Sequence, residues 1–348
     1  MKKCLLLFIT TTAVLALNAQ FKADKEPFQT KSLSGESIKN VEAQTSGGSI
    51  SVAGVNASEA RIEVYVWPNN KNKSNALSKA EIQKRVVEDY KLDISVSNNK
   101  LSAVAKTKVK LMNWKKSLSI SFKIFVPQNV STDLNTSGGS ISLTNLSGNE
   151  NFSTSGGSLN VENVSGKIDG RTSGGSINVK NSKDDIELTT SGGSIEAENC
   201  NGKIHLTTSG GSIKLVGLMG DIKATTSGGS VDGHNIEGEL AAHTSGGSID
   251  LSDLSCSLET STSGGNIHVS IKEFGKFVKI SNSGGNIDLQ IPKNKGLDLN
   301  LYAGKIKTDA LENFNGSVND DEVKGKLNGG GIPVTVKAGS GRIYLALK

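Results

Sequence analysis

The sequence predicts an all-β chain. It reads as a right-handed parallel β-solenoid (β-helix) with 18-residue coils of two short strands each, capped at the N-terminus by antiparallel strands plus one short helix. Three observations predict this. Thr-Ser-Gly-Gly-Ser-Ile or a close variant begins at Thr136, Thr154, Thr172, Thr190, Thr208, Thr226, Thr244 and Thr262, always 18 residues apart. A fixed short period is the mark of an architecture in which each repeat stacks on its neighbours. Within each unit apolar residues alternate with polar ones, as in strands with one buried face. Glycine and asparagine recur where such strands must turn.

Counting the threonine as position 1, position 6 reads Ile141, Leu159, Ile177, Ile195, Ile213, Val231, Ile249 and Ile267, and position 8 is mostly Leu or Val. Position 15 reads Ile168, Ile186, Ile204, Ile222, Leu240 and Leu258, after an irregular Glu150. Position 17 is mixed but often apolar, as in Phe152, Leu188 and Leu206. The two strands therefore cover roughly positions 5–9 and 14–18. Gly-Gly at positions 3 and 4 is expected to supply positive φ at one corner. Asn145, Asn163, Asn181, Asn199 and Asn235 mark the other, either as a stacked ladder of side-chain amides or as residues that simply tolerate the turn. A hexapeptide coil would need apolar residues at position 12, where Ser147, Ser165, Lys183 and Asn201 stand. A calcium-binding roll would need Asp at position 8, where Val179 and Leu215 stand. A flattened two-sheet coil with a dry interior remains, right-handed by the crossover rule. Ten rungs rising about 4.8 Å each would make a rod of roughly 50 Å.

In chain order, residues 1–19 read as a signal peptide. Lys2 and Lys3 give the basic start, Leu5 to Leu17 the apolar core and Asn18-Ala19-Gln20 the cleavage region. The apolar run is short for a membrane span, and no other stretch offers one in the mature chain. Removing Lys2 and Lys3 takes the formal charge from +5 to +3, which points to no global partner such as nucleic acid. Residues 20–132 form an N-terminal cap around one early coil near Thr45 to Val55. Arg61 to Trp67 alternates as a strand and stops at Pro68. Ser78 with Glu81 resembles a capping box ahead of Ile82, Val86 and Tyr90, which predicts one short helix. Strands are expected near Leu92–Val96, Leu101–Ala105 and Leu118–Val126. Residues 133–290 are the regular array, and 291–348 form irregular coils and a C-terminal cap, with Pro333 fit only for an edge. Cys200 and Cys256 fall three coils apart, about 14 Å, beyond the reach of a disulfide.

A catalytic site on the outward face would need clustered carboxylates at positions 7 and 9. Asp232 and Asp250 fall on adjacent coils, and Glu196 and Glu198 share one. Such pairs are what a solvated sheet carries by chance. His205, His234, His243 and His268 share no position and match no metal spacing. There is no Gly-x-Ser-x-Gly nucleophile motif and no glycine-rich loop entering a helix. No cofactor and no metal is implied. One patch stands apart: from Ile94 to Thr132 there are seven lysines and no acidic residue. Lys106, Lys108, Lys110, Lys115 and Lys116 gather around Trp114, suited either to an anionic glycan, envelope polymer or lipid headgroup or to guarding a strand edge against aggregation.

The Thr-Ser-Gly-Gly-Ser-Ile-x-Val units, the Phe125-Val126-Pro127 run before the first regular coil and the closing Gly341-Arg342-Ile343-Tyr344-Leu345 resemble the putative adhesin family, exported bacterial β-solenoid domains of unknown function. The resemblance covers nearly all of the mature chain. It implies a non-enzymatic exported protein presenting a repetitive polar surface to a glycan or cell-envelope polymer, and it supplies no catalytic or ligand residues. Relatives resembling parts of envelope-stress systems imply the alternative of a scaffold or sensor acting through an envelope protein. A polysaccharide lyase or hydrolase is the third reading.

Overall fold

A computed structural model describes residues 26–69, 77–108 and 117–348. The stretch read as a signal peptide lies outside the described residues. Among those described, 27 strands are joined in a single continuous system of pairings, and one α-helix lies outside it.

The repeats stack in register. Ser147–Thr154 pairs in parallel with Ser165–Thr172, that with Lys183–Thr190, and that with Asn201–Thr208, each residue facing the one 18 further on. The short strands Ile141–Thr144, Leu159–Glu162, Ile177–Lys180 and Ile195–Glu198 stack in the same way. The second strand of each unit starts earlier than its alternation suggests, at position 12, and runs into the next threonine. From Ile213 onward the two strands merge, as in Ile213–Thr226 and Ile249–Thr262, because pairing with the neighbouring rung continues through the corner.

The Gly-Gly corner departs from the sequence reading, and the asparagine corner follows one of the two alternatives that reading left open. The Gly-Gly pairs do not adopt positive φ. What demands glycine at position 4 is contact between rungs: a Cβ on Gly175 would lie 1.9 Å from the Gly157 carbonyl oxygen, and one on Gly193 2.1 Å from that of Gly175. The asparagine corner is where the left-handed backbone occurs, with φ between 50° and 57° at Asn145, Asn163, Asn181, Asn199 and Asn235. Gly217 at 63° and Asp253 at 53° occupy the same position. Asn accepts this region at little cost because its short amide bonds locally. One amide–amide step is present, Asn163 Nδ2 donating to Asn145 Oδ1 at 3.1 Å, so backbone geometry rather than a side-chain ladder accounts for most of the column.

The left-handed residue also breaks the alternation, so position 11 turns inward. Leu146, Val164, Leu218, Ile236 and Leu254 form a further buried column there, unforeseen from the period-two pattern. Cys200 shares that column and Cys256 lies at position 13; both thiols are free and buried. Packing compensates locally: a Cβ on Gly170 would meet the Phe152 ring at 2.5 Å, so the phenyl group of one rung fills the space left by the next.

At both ends the stacking order departs from the chain order. Asn40–Thr45 and Ile50–Val55 form an early rung that pairs directly with Ser131–Thr136 and Ile141–Thr144, so that Thr45 faces Thr136 and Ile50 faces Ile141. The intervening chain caps it. Lys100–Thr107 and Leu118–Pro127 extend the two faces in parallel. Tyr90–Ser97, Arg61–Pro68 and Gln29–Ser32 then add antiparallel strands. The helix Lys79–Asp89 begins as its capping residue implies, Ser78 Oγ accepting from the Glu81 amide at 3.2 Å, and buries Val86. Tyr90 is buried behind it, its hydroxyl accepting from Leu118 N at 2.7 Å. At the other end Ile332–Ala338 inserts between Ile267–Asn282 and Leu297–Tyr302. Arg342–Leu347 inserts between Ile287–Ile291 and Lys305–Thr308. An antiparallel hairpin of Phe314–Val318 and Glu322–Leu327 closes the stack against Leu297–Tyr302.

Candidate functional site

The repeat motif is rich in hydroxyls, so the first question is whether any are free. The threonines are not. Each regular Thr at position 1 is buried, and its Oγ1 donates to the position-4 glycine carbonyl of the preceding rung: Thr154 to Gly139, Thr172 to Gly157, Thr190 to Gly175 and Thr208 to Gly193, all at 2.8 Å. The same oxygen accepts from the glycine amide of its own rung, as Gly193 N to Thr190 Oγ1 at 3.3 Å. At the final corner Asn282 substitutes, with Nδ2 donating to Gly265 O at 2.8 Å and Oδ1 accepting from Gly284 N and Gly285 N. The position-5 serines form a second ladder. Ser140, Ser194, Ser212, Ser230 and Ser248 each accept from the backbone amide at the same position of the next rung, at 3.2–3.3 Å. The motif thus supplies the polar groups that the corner's own backbone would otherwise leave unmatched.

What remains for recognition lies on the outward positions. On the face formed by positions 7 and 9, Lys180 reaches Glu198 at 2.6 Å and Lys214 reaches Glu196 at 3.1 Å. The sequence-level pair Glu196 and Glu198 is therefore split between two lysine partners on neighbouring rungs. Beyond Lys214 the face turns acidic. Asp232 sits in register with Asp250, and a shallow open depression is lined by Lys214, Val216, Asp232, His234, Asp250 and Ser252. Burial, and then the Asp250 charge, hold the Asp232 carboxyl above its ordinary range. His234 Nδ1 lies 3.1 Å from Ser252 Oγ and 3.3 Å from Asp253 Oδ2. His243 belongs to the opposite strand series, where burial lowers its pKa and Ser261 Oγ lies 2.9 Å from Nδ1. Among the described residues, no three His, Cys, Asp or Glu side chains converge as a metal site.

Of the basic patch, Lys106 and Lys108 are described. Lys110, Trp114, Lys115 and Lys116 lie outside the described residues. Lys106 is exposed on the strand Lys100–Thr107, in register with exposed Lys91 on Tyr90–Ser97. Lys108 donates from Nζ to Val87 O at 2.7 Å and from its backbone amide to Asp89 O at 2.8 Å, so its charge sits at the C-terminal end of the helix. Cations are favoured there by the helix dipole. Lys91 was missed by the sequence reading because it lies outside the acid-free run; only strand pairing brings it beside Lys106.

Fold and surface together define a repeat protein of stacked parallel strands, its motif threonines and aliphatic residues turned inward and its variable polar residues displayed outward. Residues 202–346 match the family model described as Toastrack DUF4097, which agrees with the resemblance carried by the repeats and takes in the later rungs and the C-terminal closure. That description carries no enzymatic activity. No curated protein matches the chain. A crystal structure described as that of a "putative cell adhesion protein" from Clostridium sporogenes is similar over 92% of this chain and 98% of its own, at 11% identity and a TM-score of 0.18. A score that low does not define a shared fold. Among the described residues no helix is long and apolar enough to cross a membrane.

Proposed function

We propose that the chain is an exported, non-enzymatic adhesin. In this reading a signal peptide of residues 1–19 is removed. A cap of residues 20–132 leads into a right-handed parallel β-solenoid of 18-residue coils over 133–290, and 291–348 close it. The rod presents its polar faces to a glycan or other cell-envelope polymer. One observation carries the reading: the threonine hydroxyls of the repeated motif are consumed by inter-rung hydrogen bonds, which leaves the outward side chains, repeated at a regular spacing, as the surface available to a partner. Strands in a sheet are spaced about 4.8 Å apart, so an extended polymer lying along the rod meets a new set of side chains at every rung. The lysines Lys106, Lys108, Lys110, Lys115 and Lys116 with Trp114, joined by Lys91, are the contact patch for an anionic polymer.

The test is a binding array of glycans and envelope polymers probed with residues 20–348 at low and high salt. Binding to an acidic polymer class that weakens with salt, and is lost on replacing Lys106 and Lys115 by alanine, supports the adhesin. Silence across the array transfers the assignment to a scaffold or sensor working through an envelope protein. Depolymerisation of an acidic polysaccharide overturns the non-enzymatic reading.

A further inference from the structure

Position 15 holds isoleucine or leucine in the rungs from Ile168 to Leu258, but glutamate in the first of them, Glu150. The side chain follows the inward direction of its column and is 1% exposed. Oε2 accepts a hydrogen bond from Thr132 Oγ1 at 2.6 Å. Oε1 is buried without a partner, close to the backbone of Gly148, where a Cβ would lie 3.2 Å away. In register, Glu150 stacks between Thr132 and Ile168.

Charged residues on the neighbouring strands occupy outward positions. These are Asp133 on Ser131–Thr136, Lys167, Asp169 and Arg171 on Ser165–Thr172, and Glu162 on Leu159–Glu162; Ile141–Thr144 and the rest of Ser147–Thr154 carry none. Burial is the dominant influence on the Glu150 acid, raising its pKa to about 7, while the Thr132 hydroxyl pulls the other way. A neutral carboxylic acid can sit in such a site with one hydrogen bond, whereas a carboxylate there lacks the donors it requires.

The location gives this chemistry a consequence. Ser131–Thr136 is the strand on which the chain, returning from the cap, rejoins the early rung, and Thr132 itself stacks on Val41. The Thr132–Glu150 bond therefore lies beside the seam between the capped end and the repeat array. We propose that Glu150 and Thr132 form a proton-operated joint at this seam, closed while Glu150 is neutral and loosened when it ionises. On ionisation the proton passes to water, and the carboxylate draws water into the seam to replace its missing donors. Because the folded state favours the neutral form, closure is complete below the ordinary glutamate range and is lost as pH rises through the folded-state value. This response to pH is independent of any ligand and goes beyond the adhesin reading.

Amide hydrogen exchange on the whole protein, expressed as protection factors at about pH 5.5 and about pH 8.5, tests it. For a seam that opens by exposing Glu150, protection in 131–136 and 147–154 should fall by roughly tenfold to thirtyfold at the higher pH, while rungs 195–208 stay constant as an internal reference. Glu150→Gln, which keeps the shape without the titration, should abolish the difference. Unchanged wild-type protection, or a difference that survives in E150Q, overturns the proposal. If E150Q does not fold, carboxyl-carbon NMR titration of the wild type decides: a Glu150 midpoint near 7 supports the joint, and one in the ordinary glutamate range sinks it. Thr132→Val removes the hydrogen bond that lowers the pKa and should move that midpoint further up.

Discussion

The two glycines of each corner make opposite predictions, although they are adjacent in every repeat. At Gly193 an added Cβ would lie 2.1 Å from the carbonyl oxygen of Gly175, 2.4 Å from its carbon and 2.6 Å from Ser176 N. All three are backbone atoms held by the neighbouring rung, so no side chain can swing aside. Relief requires the rungs to separate locally by about 1 Å, which costs roughly 1–3 kcal/mol as overpacking. The same separation stretches the bond from Thr190 Oγ1 to Gly175 O, which spans these two rungs and is worth about 1 kcal/mol. Gly193→Ala should therefore destabilise by about 2–4 kcal/mol. At Gly192 the nearest atom to an added Cβ is Ser173 O at 3.5 Å, ordinary contact, and the backbone is not left-handed. Gly192→Ala should be neutral or stabilise by about 0.4–1 kcal/mol, through the lower entropy of the unfolded chain. Equilibrium urea denaturation of both variants beside the wild type is the assay, followed by circular dichroism. Equal midpoints for G193A and the wild type, or an equal loss in both variants, would refute the argument that rung contact and not backbone conformation selects this glycine.

Three further predictions rest on the same interior. Thr208→Val deletes the hydroxyl that serves Gly193 O and Gly211 N, and should cost about 1–3 kcal/mol in the same denaturation experiment, whereas a Thr207 to Ala change on the outward side should cost little. At Asn181, with φ of 50°, Asn181→Ala should destabilise by about 1 kcal/mol and Asn181→Gly should be tolerated; equal melting temperatures for the two would discount the left-handed corner. Burial pushes the Cys256 thiol up to about 12 and raises that of Cys200 as well, so few thiolates exist near neutral pH and access is blocked. An aromatic disulfide reagent should modify neither cysteine in the native protein and both in denaturant, and rapid native labelling would contradict the buried placement.

How far the sequence reached can be followed residue by residue. The inward columns at positions 6 and 8 were legible because extended backbone alternates its side chains by geometry alone. The helix start at Ser78 was legible because a cap is a contact over three residues. The exposed lysines Lys106 and Lys108 were visible as a run, but Lys91 was not, because its proximity to Lys106 is created by antiparallel pairing and not by spacing in the chain.

By itself, then, the sequence determined the repeat: its period, the polar and apolar sides of its strands and the places that carry turn residues. All of these follow from contacts between near neighbours repeated many times. Only the tertiary structure decided why position 4 must be glycine, since the atom that forbids a side chain belongs to the next rung. It also decided the order of the stack. Thr45 pairs with Thr136 across the entire cap, and Ile332–Ala338 enters between strands that precede it in the chain. A strand edge offers the same backbone donors and acceptors whichever segment arrives, so the choice among compatible partners is made by the packing of both ends at once, and no local pattern records it.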